Sequence, residues 1–192
     1  MKLAIVGAYG AGKTTLISRA GALLGLRAVH GTPMRDPRGG APTSLEDASA
    51  PELIQLVVRR YTERLLSEAA SPDGFLSDGS LLHEWTYATV RLALGLHPAD
   101  DATLDLSRLT PYQEVLERLG PEIAHRTAAA YDEVVHLPVE FPLTDRKPPI
   151  SEHFRAISDQ LLLDTLRSTG TAVRAITGPI DDRVSALAAL VA

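Results

Sequence analysis

The 192-residue chain has no cysteine and no asparagine. Without cysteine there are no disulfides, no thiol nucleophile and no thiolate metal site. Without asparagine the guanine-reading N-K-x-D motif cannot be written. That sets aside a switch GTPase, despite the D-x-x-G run Asp36-Pro37-Arg38-Gly39, which no apolar strand precedes. No stretch approaches the roughly 18 apolar residues of a membrane span, so no membrane partner is expected. An excess of positive charge is also missing. The formal net charge is -5, so no nucleic-acid partner is expected. The histidines (His30, His83, His97, His125, His136 and His153) show neither H-x-x-x-H nor H-E-x-x-H spacing, which argues against zinc.

What is present is ordinary for a soluble globular protein: 45% apolar and 22% charged residues. The length suits one domain, residues 1–192. The opening run KLAIVG reads as a buried strand and not as a signal peptide, since it ends at glycines without a cleavage pattern. A reducing cytoplasm is the default location. Apolar spacing predicts helices over Lys13 to about Leu24 (stopped by Gly25), Pro51–Ala70, Leu81–Leu94, Thr110 to about Ala129, Ser151 to about Ser168 and Ile180–Val191. Strands are predicted at the start, at Leu26–His30, in FLSD ending at Asp78, at Glu133–Leu137 and at Thr171–Thr177. Strands alternating with helices imply a parallel sheet covered on both faces. The long loops Gly31–Ser44, Gly95–Leu109 and Phe141–Pro149 fall where functional segments are common.

Between the first strand and its helix lies Gly7-Ala8-Tyr9-Gly10-Ala11-Gly12-Lys13-Thr14, a full match to G-x-x-x-x-G-K-[ST], the Walker A motif or P-loop. Small residues let backbone N–H groups converge on phosphate oxygens, and the helix offers its positive end to the same anion. Lys13 would reach the β- and γ-phosphates, Thr14 would ligate Mg2+, and Thr15 would add a phosphate contact. A glycine-rich helix cap is the plainer reading, but strand, loop and helix follow in the required order. A partner acid is needed at the end of a neighbouring strand, and Asp78 fits, with an Asp-Gly turn as its alternative.

With these motifs the chain resembles P-loop kinases of nucleosides and nucleotides, including nicotinamide-riboside-kinase-like domains and related small AAA-type ATP-binding proteins. Asp78-Gly79-Ser80 stands where that family often has Asp-Arg-Ser or Asp-Arg-Thr, and LLHEWTY ending at Tyr87 follows. The family arginine is replaced by Gly79. The resemblance implies a three-layer α/β P-loop NTPase fold with a five-stranded parallel sheet in the kinase-like order 2-3-1-4-5. It also implies a basic lid, here about 141–155, with Arg146 and Lys147 as lid cations and Arg155 as the helix arginine. Together these would close over the phosphates, although a solvated basic turn is the plainer reading. Gly178 and Pro179 would shape the loop passing the adenine.

The remaining signals are weaker. His30 and His83 read first as structural or surface residues, with substrate contact as the alternative. Trp85 and Tyr87 read first as core, with base stacking as the alternative, and Arg59-Arg60 as a solvated helix edge. Arg35 and Arg38 read as part of a polar loop, with an anionic acceptor as the alternative. The expected activity is transfer of the γ-phosphoryl of Mg-ATP to a hydroxyl or phosphate of a small metabolite. Lys13, Asp78, Arg155 and Arg146 would be the catalytic residues. Asp78 would serve as magnesium ligand or as base, with Glu84 a lesser choice for the base. Partners would be a nucleoside triphosphate and a small-molecule acceptor, and a homodimer is compatible. A regulatory ATPase signalling to a protein partner is the alternative, and nucleotide binding without turnover a third.

Overall fold

The structure, a computed structural model, describes residues 1–31, 47–144 and 147–191. The strands are β1 (Lys2–Val6), β2 (Arg27–Val29), β3 (Phe75–Asp78), β4 (Glu133–His136) and β5 (Val173–Ala175). The helices are α1 (Lys13–Leu24), α2 (Ala50–Ala69), α3 (His83–Leu94), α4 (Pro111–Ala130), α5 (Glu152–Ser168) and α6 (Ile180–Val191). The sheet runs β2-β3-β1-β4-β5 with every pairing parallel, the order that the resemblance implies.

β1 is the axis of the fold because it is apolar on both sides, as a covered parallel strand must be. Leu3 and Ile5 join Leu16, Ile17 and Leu187 of α1 and α6 on one face. Ala4 and Val6 face Val57, Trp85, Leu116 and Leu162 of α2 to α5 on the other. Local signals start and stop the helices. Ser49 and Glu52 form a capping box for α2, as do Thr110 and Gln113 for α4, each with a proline in the first turn. Gly25 ends α1 in the left-handed conformation at φ 64°. The predicted elements hold to within about two residues at most ends. β5, expected over Thr171–Thr177, spans Val173–Ala175, although the Ile176 N–H still donates to the His136 carbonyl at 2.9 Å. No helix among the described residues is long and apolar enough to cross a membrane.

This topology brings the C-terminal ends of β1 and β3 together. Ile5 pairs with Asp78, so the loop after β1 opens beside that carboxylate.

Candidate active site

The loop Gly7–Gly12 leaves β1 against the end of β4. At Gly7 φ is +141°, and an added Cβ would lie 2.5 Å from the Leu137 carbonyl oxygen, so a side chain is excluded there on both counts. Ala8 and Ala11 are buried beneath the loop, whereas Tyr9 and Gly10 lie on its exposed side. Lys13 Nζ donates to the carbonyls of Gly7 and Ala8, at 2.8 Å each. Burial lowers the Lys13 pKa to about 8, opposed by the charges of Asp78 and Asp159. This ammonium is held over its own backbone and is short of negative charge, which polyphosphate oxygens would supply.

Thr14 Oγ1 donates to Asp78 Oδ2 at 2.7 Å, so the two predicted magnesium residues do meet. Both offer hard oxygen, which suits Mg2+. Among the described residues no group of three or more His, Asp or Glu side chains could hold a metal alone. The fit is therefore to a cation shared with phosphates and water. His30, at the end of β2, places Nδ1 3.2 Å from the same Asp78 oxygen. Thr15 is exposed at the mouth of the loop.

Three side chains brace the loop from behind: half-buried His83 and the buried Arg155 and Arg183. His83 Nδ1 accepts the Ser80 N–H at 2.9 Å, so its proton sits on Nε2, 3.2 Å from the Gly7 carbonyl. Burial, aided by the Lys13 charge, pushes the His83 pKa down to about 4. Arg155 donates to the carbonyls of Tyr9 (2.6 Å) and Phe141 (2.7 Å) and to Glu152. Arg183 donates to the carbonyls of Ala11 (2.8 Å) and Gly178 (2.7 Å) and pairs with Glu140. Arg155, expected as the helix arginine that closes over the phosphates, is on its helix but turned inward. It is 1% exposed and locks the loop to residue 141, leaving only Nη2 without a partner among the described residues. Arg146 lies outside the described residues, as do Arg35, Arg38 and Asp36-Pro37-Arg38-Gly39; Lys147 is exposed.

Two cavities meet here. The smaller, about 420 Å³, runs along the loop past Gly10, Gly12 and Thr15 to Phe141 and Thr144. The larger, about 540 Å³, lies between α2, α3 and the start of α5, and is lined by Leu53, Arg60, Arg64, Glu84, Tyr87 and Phe154 among others. Tyr9, Lys13 and Thr14 border both. Tyr87 is a wall of the larger cavity, not only core as expected. Its hydroxyl accepts the Tyr9 N–H at 3.0 Å. Trp85 is core, as expected: its indole N–H reaches the Leu116 carbonyl at 2.6 Å, and its ring lies against Gly120.

The reading of Arg59-Arg60 as a solvated edge holds for Arg59, 42% exposed beside Glu63, and fails for Arg60. Successive helical residues point about 100° apart, so one of such a pair can face inward. Arg60 Nε and Nη2 donate to Glu84 Oε1 at 3.1 and 3.0 Å. Arg64, which the motifs did not single out, contacts the same oxygen and donates to Ser77 Oγ at 2.9 Å and the Asp78 carbonyl at 3.2 Å. Its Nη2 lies 3.2 Å from where a Cβ on Gly79 would be. The bare backbone at Gly79 therefore makes room for a guanidinium from α2 beside Asp78. Burial pushes the Glu84 carboxyl up, but Arg64 and Arg60 outweigh it and hold Glu84 below its ordinary range. The i, i+4 spacing of Arg60 and Arg64 puts them on one side of α2, but nothing in the pattern marks that side as the inner one.

A profile of the AAA domain family matches residues 2–183. Solved structures of deoxyadenosine kinase from M. mycoides share the fold. One with bound dATP superposes with a TM-score of 0.68 at 13% identity, covering 99% of this chain and 98% of that one. Another, with the products dCMP and a flexible dCDP, superposes at 0.65 and 14% identity over the same shares. No curated protein matches the chain.

Proposed function

The chain belongs to the AAA domain family, and from that footing we propose that it is an ATP-dependent small-molecule kinase. One observation carries this reading: Lys13 and Thr14 border two cavities at once, one along the phosphate loop and one beside Asp78. Hydrolysis needs room for a water; a second cavity of about 540 Å³ is of the size that holds a small-molecule ligand. The nucleotide ligands of the deoxyadenosine kinase structures make nucleosides or nucleotides the first acceptors to try.

In this reading ATP lies along the smaller cavity with its γ-phosphate at Lys13. An acceptor oxygen from the larger cavity bonds to the γ-phosphorus as the bond to the β,γ-bridging oxygen breaks. ADP departs with that electron pair. A hydroxyl acceptor gives its proton to the Asp78 carboxylate or to water. Mg2+ held by Thr14 and Asp78 would neutralise charge on the phosphates. Lys13 and the loop amides stabilise the charge on the moving group, braced by His83, Arg155 and Arg183. Phe141 to Thr144 line the smaller cavity and Pro149, Ile150 and Phe154 the larger, which supports reading the stretch about 141–155 as a lid.

The test is ADP formation from Mg-ATP with pooled hydroxyl- and phosphate-bearing metabolites. Acceptor-dependent ADP that disappears in Lys13→Met supports the kinase. ADP formed only when a protein partner is added supports the regulatory ATPase.

A further inference from the structure

The larger cavity holds cationic groups beyond the one that would grip the donor. Arg60 and Arg64 both turn to Glu84 Oε1, so two guanidiniums share one carboxylate. The side chains are 10% and 3% exposed. A second negative charge, Glu68, acts on Arg64 but reaches it only through the Ser77 hydroxyl. Glu68 Oε1 accepts from Ser77 Oγ at 2.6 Å and Tyr131 OH at 2.9 Å, and Asp78 Oδ2 is taken by Thr14 and His30. Among the described residues, Arg60 Nη1 and Arg64 Nε have no hydrogen-bond partner. Buried guanidinium N–H groups short of acceptors are costly until a ligand oxygen completes them.

Bare backbone sets their place. A Cβ on Gly31 would lie 2.8 Å from Arg60 Nη2 and 3.0 Å from Arg64 Nη2, so both guanidiniums pack over the end of β2. Gly31 lines the cavity with them. The bond from Arg64 Nη1 to the Asp78 carbonyl puts this charge beside the point where donor and acceptor would meet.

We infer that the acceptor is an anion, with a phosphate or carboxylate group seated on Arg60 and Arg64. Glu84 Oε2, also without a partner among the described residues, would accept from a hydroxyl or amino group of the same molecule. A neutral nucleoside leaves the arginine pair unfilled. This inference rests on the kinase reading for the transfer step, but not for the binding of the anion. Two sources share the chemistry: a nucleoside monophosphate whose phosphate both seats and reacts, and a hydroxylated metabolite with a separate phosphate or carboxylate.

The experiment uses the whole protein with saturating Mg-ATP and matched acceptors: nucleosides, their monophosphates, sugar phosphates and hydroxy acids. The anionic members are expected to be phosphorylated and the nucleosides not. A diphosphate product identifies the first source, and a new phosphate ester on a hydroxyl identifies the second. Arg60→Gln should raise KM for the anionic acceptor about 10- to 100-fold, the worth of one charge-assisted hydrogen bond, and leave KM for ATP nearly unchanged. Arg60→Lys, which keeps the charge but loses the planar fork, should recover part of the loss. It also carries the test if Arg60→Gln does not fold. Nucleosides reacting as well as their monophosphates would overturn the inference and leave the kinase standing. If nothing is phosphorylated, calorimetric titration of the same monophosphates, sugar phosphates and hydroxy acids decides. Binding lost in Arg60→Gln upholds the anion site, and binding absent or unchanged overturns it.

Discussion

The two sides of the candidate site are built in opposite ways. The donor side is a contiguous run, Gly7–Thr15, whose grip is mainly backbone and whose one cation, Lys13, is bonded among the described residues to the carbonyls of its own loop. The acceptor side is assembled from α2, α3 and the start of α5. Its charges are already bound to one another through Glu84. A backbone grip needs a particular order of small residues, whereas a side-chain wall needs only that distant helices pack. The donor side is poised to be completed by a ligand. The acceptor side also holds the fold together.

That contrast can be broken by substitution. Glu84→Gln should have the largest effect on stability, about 3–5 kcal/mol in urea denaturation, because it leaves Arg60 and Arg64 buried without a counter-charge. Lys13→Met should cost about 10²- to 10³-fold in kcat, the worth of a preorganised charge donor, without loss of stability, since burial already disfavours the Lys13 charge. Equal stability losses in the two variants would erase the distinction. A third effect sharpens it with pH. His83 has its folded pKa lowered from 6.5 to about 4, so between those values the unfolded chain takes up a proton that the folded chain refuses. Stability should therefore fall as pH falls from 6.5 toward 4, by at most about 3 kcal/mol from this residue. His83→Gln should flatten that part of the melting-temperature profile. The smallest effect belongs to Arg19→Ala. The exposed Arg19–Asp181 pair joins α1 to α6 on the face away from the larger cavity, and its loss should change stability by less than about 1 kcal/mol.

Legibility in the sequence follows the same division. Gly7 to Thr14, the strand before them and the helix after them lie in one window, so the loop could be read directly. Asp78 could be found because β3 is short, apolar and ends in an acid beside β1. The sheet order came with the kinase resemblance, not from periodicity. Arg64 and Arg60 were hidden because a helix pattern shows which face is apolar, not which polar residues turn inward to a shared carboxylate. Arg155 was named, but as a residue closing over the phosphates and not as a brace of the loop, and Arg183 was not named, for a related reason. Their partners are backbone carbonyls at Tyr9, Phe141, Ala11 and Gly178, and a carbonyl leaves no mark in a sequence. His83 was weighed only as a structural or substrate-facing residue; its bond to Gly7 depends on the tautomer that the Ser80 N–H selects.

The central claim is that the γ-phosphoryl passes to a small acceptor. It is tested most directly by following the label from ATP carrying a radioactive γ-phosphate, incubated with Mg2+, the protein and the acceptor pool. The account predicts that the label is recovered on a small organic product, and that Lys13→Met abolishes this. Label recovered only as inorganic phosphate, with every acceptor present, would contradict it.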